Sequence, residues 1–264
     1  RFAFVSHAHF DHMARHAEWV CSEGTAALMR VRLPSAFKEG VCHAVPFGER
    51  RTRERCEFEL RPAGHVLGSA MLWLSDGGES VLYTGDFKLR AGLSSERCDP
   101  RGADVLVMET TYGLPGYVFP PASETIRGMV AFCGAAVADG GTAVVFGYSL
   151  GKAQEAMCAL AGAELPVRVH VSIAAIARVY AERGVVFPEY GVFDGTARRG
   201  EVLVLPPGMM RSQTVARIPK RRTAAVTGWA MDPAFRFRSG CDEGFVLSDH
   251  ADYGELLELV ERVQ

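Results

Sequence analysis

Four candidate metal ligands are crowded into six positions near the start of the sequence, and this segment constrains the fold more than any other. His7, His9, Asp11 and His12 directly follow an apolar strand predicted at Phe2–Val5. Alternate residues of an extended chain share a face, so the first two imidazoles can point at one metal ion. A turn into a helix would bring the last two residues toward a second position nearby. Imidazole and carboxylate groups at this spacing are ligands for zinc or a similar first-row ion.

The alternation of short apolar segments with helical ones predicts an α/β protein. In the first part of the sequence a helical stretch extends from His12 through Val20 and a short helix covers 25–30, and strands are predicted at 41–45, 57–61, 70–75, 80–84 and 105–108, the last of them buried. Glycines and prolines at 113–121 resemble a linker. Beyond it, helices at 123–138, 152–161 and 173–183 alternate with strands at 142–148, 167–171, 201–205 and 224–229, followed by a strand at 244–247 and a helix at 255–263.

The composition is that of an ordinary globular protein. Among 264 residues, 31 acidic and 29 basic side chains leave a formal charge of −2, which argues against a binder that works through bulk positive charge. The apolar runs end well before the ~18 residues that a membrane span needs, so no membrane partner is expected. Seven dispersed cysteines without a C-x-x-C pair predict reduced, mostly buried thiols and a cytoplasmic location.

Two later segments place a polar residue after a glycine at the end of a predicted strand. His65 follows Gly64 beyond the strand at 57–61, and Asp86 follows Gly85 at the end of the strand at 80–84. Glycine permits close approach of the backbone. A Gly-Asp pair alone is usually a turn. Together with the first cluster, these residues are interpreted as further metal ligands.

These segments resemble, in order, the motifs of the metallo-β-lactamase superfamily: Ser-His-Ala-His-Phe-Asp-His at 6–12, Gly-His at 64–65 and Thr-Gly-Asp at 84–86. The resemblance implies an αββα sandwich that binds two divalent metal ions, zinc or alternatively manganese. It also implies the metal ligands, with one ion bound by His7, His9 and His65, the other by Asp11 and His12, and Asp86 as the bridge between them.

Other segments are similar to the β-CASP nucleases, members of this superfamily that cut nucleic acids and carry an inserted α/β cap. They are Glu-Thr-Thr-Tyr-Gly at 109–113, the segment 146–154 and Leu-Ser-Asp-His-Ala-Asp-Tyr at 247–253. The details at 112–115, 120–121 and 247–253 look most like the bacterial ligase-associated DNA exonucleases. The resemblance implies a metallo-β-lactamase domain over 1–116, a β-CASP cap over 117–242 and a return to the first domain over 243–264.

The activity implied by this resemblance is hydrolysis of DNA phosphodiester bonds by metal-activated hydroxide. The enzyme would act as an exonuclease on single strands or ends in DNA repair, with a functional link to a DNA ligase and a helicase. The expected catalytic residues are Asp11, His250 as general acid and Glu109, whose negative charge favours a protonated imidazole. Two alternatives stay open, an RNA-processing β-CASP ribonuclease and a non-catalytic nucleic-acid-binding member of the fold.

Four residues beyond the linker are expected to bind substrate. Ser149, Gly151 and Lys152 lie between a predicted strand and a helix, where free N–H groups favour phosphate, although the Walker pattern is absent. Arg221 lies in the dense basic cluster at 217–222, the run most suited to contact phosphates. The remaining histidines are interpreted as structural: His16, His43 and His170.

Two features of the family have no counterpart in this sequence. One is an aspartate before the first strand that supports the metal site, and the other is a histidine after the terminal helix that completes the second metal position. Arg1 falls inside a predicted strand and Gln264 inside a predicted helix. We therefore expect that the sequence is trimmed at both ends.

Overall fold

The computed structural model describes residues 2–264. Its strands are β1 Phe2–Phe4, β2 Glu18–Ser22, β3 Val41–Val45, β4 Arg50–Arg53, β5 Cys56–Pro62, β6 Ala70–Ser75, β7 Ser80–Tyr83, β8 Val105–Val107, β9 Thr142–Phe146, β10 Val167–Val169, β11 Tyr190–Val192, β12 Glu201–Leu205, β13 Arg221–Val226 and β14 Glu243–Phe245. Its helices are α1 Glu23–Arg32, α2 Ala36–Glu39, α3 Ala122–Ala138, α4 Lys152–Ala159, α5 Val171–Glu182, α6 Gln213–Ala216, α7 Phe235–Ser239 and α8 Tyr253–Val263. The α/β class expected from the sequence is confirmed.

The chain forms two compact units. The first contains the described residues up to Val118 together with Asp249–Gln264, and the second is Phe119–Ser248. The second unit ends later than the expected residue 242, because β14 pairs in parallel with β13 and so belongs to the sheet of the second unit.

Two sheets face each other in the first unit. Strands β1, β2 and β3 form a parallel sheet, and β4 to β8 form a second sheet in sequence order that is antiparallel except for the β7–β8 pair. Between them lie the buried side chains of Val20, Val45, Phe58, Leu60 and Ala70. Consecutive residues of a strand point to opposite faces. Met71 and Trp73 of β6 therefore face away from this layer, and they pack against α8.

Helix α8 covers the outer face of the five-stranded sheet with one apolar side. Leu259 is 0% exposed and packs in one cluster with Met71 and Trp73, whereas Leu257 on the opposite side of the helix is 51% exposed. We expect Leu259→Ala to lower the free energy of unfolding by about 2–5 kcal/mol, because it leaves a cavity. Leu257→Ala should change it by less than about 0.5 kcal/mol. Denaturant titration followed by tryptophan fluorescence measures both, and equal effects would contradict this packing.

The second unit is built on six parallel strands in the order β11-β10-β12-β9-β13-β14. Side chains from α3, α4 and α5 cover one face, where Met129, Met157 and Ile173 pack in one cluster with the strands. The other face is covered by the segment around α6, through Val215 and Ile218. Cover on both faces explains why β9 and β12 are apolar at every position after the first, as in other parallel sheets.

One segment near the metal ligands has a secondary structure that differs from the one the sequence predicts. The sequence predicts a helix after His12 through Val20, yet these residues form a loop followed by β2, which pairs with β1 and β3 on its two sides. A strand in the middle of a sheet favours Trp19 and Val20, an aromatic and a β-branched residue that are both buried here. The strand expected at 105–108 is β8, an edge strand with Val105 and Val107 exposed rather than buried.

All seven cysteines are free, and fewer are buried than the sequence suggested. Three are buried, Cys56 is exposed and the others are half-buried, namely Cys42, Cys98 and Cys158. Among the described residues, no helix combines the length and apolar character of a membrane span.

Candidate metal centre

The predicted ligands of the first unit lie on loops that leave its strands. His7 and His9 follow β1, His65 lies between β5 and β6, and Asp86 follows β7. Gly85 holds the last of these loops against the first, because it adopts a φ of +55° and a Cβ there would lie 2.7 Å from the Cβ of Ser6. A larger residue would push these two loops apart.

Four of these residues bring their ligand atoms into one cluster. One donor atom from each of His7, His9, His65 and Asp86 lies within 4.8 Å of all the others. His65 Nε2 is 3.1 Å from His9 Nδ1, and Asp86 Oδ2 is 3.5 Å from His7 Nε2 and 3.8 Å from His65 Nε2. Ligands at ~2.1 Å from a tetrahedral zinc ion are about 3.4 Å apart, so the spacing fits such an ion.

The environment of the imidazoles also fits a metal ion. His7 Nε2 is buried, and it neither donates nor accepts a hydrogen bond among the described residues. A buried polar atom without a partner is costly, and a cation would satisfy it. Burial, reinforced by the neighbouring histidines, lowers the pKa of His7 well below its usual value. Burial likewise lowers the pKa of His65. Both rings are therefore neutral near pH 7, the form that binds metals.

Hydrogen bonds to the far side of the rings fix their orientation. His65 Nδ1 donates to the backbone carbonyl of Asp249 over 2.8 Å, which directs the Nε2 lone pair into the cluster. Ser6 Oγ lies 3.1 Å from His7 Nδ1 and 3.4 Å from His12 Nδ1. One serine thus contacts the outer nitrogens of two predicted ligands.

Asp86, a member of this cluster, also lies near two side chains outside it. Its Oδ2 lies 3.5 Å from His12 Nε2 and 4.0 Å from His250 Nε2. Burial raises the pKa of Asp86, while the positive charge of His250 opposes that shift. Asp11 is less enclosed, because its side chain is 80% exposed and its Oδ2 lies 3.8 Å from His12 Nε2. Asp11 lies outside the groups of potential ligands that converge within 4.8 Å.

His250 and Glu109 form a hydrogen-bonded pair beside Asp86. His250 Nδ1 lies 2.9 Å and 3.0 Å from the two carboxylate oxygens of Glu109. An ionised carboxylate only accepts hydrogen bonds, so Nδ1 is the donor and Nε2 faces Asp86. The Phe87 N–H donates to Glu109 over 2.9 Å, and the Thr111 hydroxyl donates to its other oxygen. These two donors hold the carboxylate that orients the ring.

Asp249 is a site residue that the sequence interpretation missed. It is 5% exposed, and its carboxylate converges with donor atoms of His65 and His250. Its Oδ1 lies 3.8 Å from His250 Nε2. The signal was present, because an acidic residue directly precedes His250 at the end of an apolar run.

The four residues predicted to bind substrate lie in the second unit. The Ser149 hydroxyl is 2.9 Å from that of Ser172. Gly151 has a φ of +87°, and its N–H donates to the Gln154 side chain over 2.8 Å. That N–H is therefore already used within the turn.

Lys152 and Arg221 are the two cations in this set. Lys152 is buried, with its Nζ 5.3 Å from the centre of the Tyr148 ring. Arg221 donates to the carbonyls of Ala216 and Ile218, over 2.9 Å and 3.4 Å. The guanidinium of Arg221 therefore stabilises the end of α6, a structural role that the sequence did not predict.

Three curated proteins illustrate the similarity of the chain to known proteins. A probable DNA ligase of Opitutus terrae is 49% identical over 263 residues, which cover 99% of this chain and 26% of that protein. An RNase J-like protein of Methanocaldococcus jannaschii is 31% identical over 172 residues, 57% of this chain and 41% of that one. The human DNA cross-link repair 1A protein is 29% identical over 157 residues, which cover 56% of this chain and 15% of that protein. The chain thus spans less than half the length of each of these relatives.

The fold of the chain is similar to that of a solved structure, and the relatives belong to one protein group. No family model matches the sequence. The crystal structure of a protein of unknown function from Enterococcus faecalis V583 superposes with a TM-score of 0.66 over 99% of this chain and 73% of that one. The two sequences are 12% identical, so this similarity shows a shared fold only. The RNase J-like and DNA cross-link repair 1A proteins are β-CASP proteins. With the convergent histidines and aspartates described above, this similarity shows that the chain belongs to the β-CASP group of the metallo-β-lactamase superfamily.

Proposed function

We propose that the protein is a metal-dependent nuclease that hydrolyses DNA phosphodiester bonds, as an exonuclease in DNA repair. The observation that carries the proposal is the convergence of His7, His9, His65 and Asp86 in one cluster, in which His7 and His65 are buried. The names of two relatives, a probable DNA ligase and DNA cross-link repair 1A, support DNA as the substrate.

Two divalent cations would occupy this site. His7, His9 and His65 would bind one, and His12 with the exposed Asp11 would bind the other. Asp86 would bridge them, since its Oδ2 lies 3.5 Å from both His7 Nε2 and His12 Nε2. Zinc suits a set rich in imidazole nitrogens, and manganese is the alternative. Such ions, when bound, supply a nucleophile from water at neutral pH and stabilise negative charge on the phosphate.

The role proposed for His250 is to protonate the leaving oxygen. Its Nδ1–H is held by Glu109, so Nε2 is the atom that faces the site. The carboxylate also stabilises the charged imidazolium, the form that can donate a proton. Glu109 therefore acts through the ring rather than on the substrate.

The layer order of the first unit supports the αββα sandwich expected for this superfamily. Helix α1 contacts β2 and β3 of the smaller sheet, and helix α8 covers the outer face of the larger sheet. The second unit, inserted in the sequence between Val118 and Asp249, corresponds to the β-CASP cap. A functional link to a DNA ligase is supported by the name of the Opitutus relative, whereas the helicase link and the cytoplasmic location rest on the sequence alone.

A ribonuclease is the second candidate, because one relative is named RNase J-like and the metal chemistry would be the same. The two activities differ in recognition of the 2′-hydroxyl group. The test is digestion of end-labelled single strands of DNA and RNA with the same sequence, with metal content measured in the same preparation.

We expect faster loss of the DNA strand, at least about 100-fold slower cleavage after chelation, and recovery when Zn²⁺ or Mn²⁺ is added back. Preference for the RNA strand would support the ribonuclease instead. Metal-loaded protein that binds both strands and cleaves neither would show that the protein is a non-catalytic member of the fold.

A further inference from the structure

The carboxyl edge of the six-stranded sheet in the second unit contains a topological switch point. Strands β9 and β13 are parallel neighbours in this sheet. After β9 the chain continues toward one edge of the sheet, to β10, whereas after β13 it continues toward the opposite edge, to β14. In open parallel sheets, ligands bind in the crevice outside the strand ends at such a point. The residues that follow β9 and β13 therefore occupy the place where this sheet would bind a ligand.

Two aromatic side chains are exposed just beyond these strand ends. Tyr148 is 59% exposed and Trp229 is 46% exposed. Phe146 at the end of β9 pairs with Ala225 of β13, and Tyr148 and Trp229 follow two and three positions after the ends of these two strands. Large aromatic rings usually bury most of their surface, so two exposed rings on adjacent loops mark a candidate binding surface.

Both loops are fixed by local hydrogen bonds. Thr227 Oγ1 accepts from the Trp229 N–H over 3.3 Å, and the Thr227 carbonyl accepts from the Ala230 N–H over 3.2 Å. After β9, the Tyr148 carbonyl accepts from the Ala153 N–H over 3.1 Å. A rigid surface loses little conformational entropy when it binds a ligand.

One cation lies close to one of the two rings. The Lys152 ammonium lies 5.3 Å from the centre of the Tyr148 ring, within the range of a cation–π interaction. It provides positive charge beside an exposed aromatic face. On the other side, Asp232 follows the turn of Trp229, and Arg238 neutralises its carboxylate over 2.8 Å.

We propose that Tyr148 and Trp229 form a stacking platform for unpaired bases of single-stranded nucleic acid. The proposal rests on the proposed nuclease function and specifies which part of the substrate the second unit contacts. Every base has a π face, so aromatic stacking binds strands of any sequence.

The test measures binding without cleavage, by fluorescence anisotropy in the presence of a chelator. The probes are a labelled oligodeoxythymidine, an oligouridine and an abasic strand of equal length and charge. Tyr148→Ala and Trp229→Ala should each weaken binding of the base-containing strand by about 5- to 150-fold and leave binding of the abasic strand unchanged. Tyr148→Phe and Trp229→Phe should bind like the wild type. Phe237→Ala, which removes a ring that is 92% exposed on α7, is the matched control.

Each outcome of the experiment has a distinct meaning. Alanine variants with wild-type affinity would overturn the platform, and so would equal losses on the abasic strand, because the contact would then be with the backbone. The DNA and RNA arms identify which strand supplies the bases. A wild-type protein that binds neither strand would overturn the nuclease proposal itself, whereas a wild type that binds and cleaves beside unaffected variants would overturn only the platform.

Discussion

Replacing Asp86 with asparagine should reduce phosphodiester hydrolysis by at least about 1000-fold, because several kcal/mol of charge stabilisation depend on the cations that this carboxylate would bridge. Asp86 Oδ2 is the atom shared by the two halves of the site, 3.5 Å from His7 Nε2 and from His12 Nε2. An amide has nearly the same shape but lacks the negative charge. Metal content and initial rates on labelled DNA should therefore fall together.

Asp76→Asn is the matched control for this substitution. Asp76 lies in the exposed turn between β6 and β7, where it accepts the N–H groups of Gly78 and Glu79. An asparagine can accept the same hydrogen bonds, so the control should keep full activity and metal content. If Asp86→Asn retained both metal and rate, Asp86 would be excluded as a bridge.

Replacing His250 with alanine should slow hydrolysis of DNA by about 10²- to 10⁴-fold, the range of a lost general acid. A substrate with a 4-nitrophenolate leaving group needs no proton at that oxygen, so its hydrolysis should fall much less. Glu109→Gln should show the same pattern with a smaller loss, because an amide can present its oxygen to Nδ1–H but no longer stabilises the imidazolium.

The comparison of the two substrates separates acid catalysis from a structural or metal-binding role. Equal losses on both substrates would show that His250 does not act as the acid. His43→Ala is a suitable control, because His43 lies at the surface of the first unit and pairs with Glu18 over 2.8 Å. Its removal should leave both rates unchanged.

Much of the site could be predicted from the sequence because its ligands lie in short motifs at strand ends. His7 and His9 lie two positions apart in one loop, and glycines that precede His65 and Asp86 signal the close backbone approach seen at Gly85. Regular elements of the second unit were also predicted well, since β9 and β12 are apolar at every position after the first and helices lie between them.

Long-range packing explains what the sequence did not reveal. Asp249 receives the Nδ1–H of a histidine 184 positions away, a contact that only the assembled first unit brings about. The β2 segment has a local pattern compatible with a helix, and pairing with strands on both sides decides its conformation. Arg221 is a local exception, because its carbonyl partners lie only three and five positions earlier, in the turn after α6.

Anomalous diffraction from crystals grown with Zn²⁺ is the most direct test of the central claim, that distant imidazoles and carboxylates converge on divalent cations. We expect a strong anomalous peak at the zinc absorption edge, about 2.0–2.2 Å from nitrogen atoms of His7, His9 and His65, with an oxygen of Asp86 as the fourth ligand. A map with no peak among these residues, and with their rings turned away from one another, would contradict it.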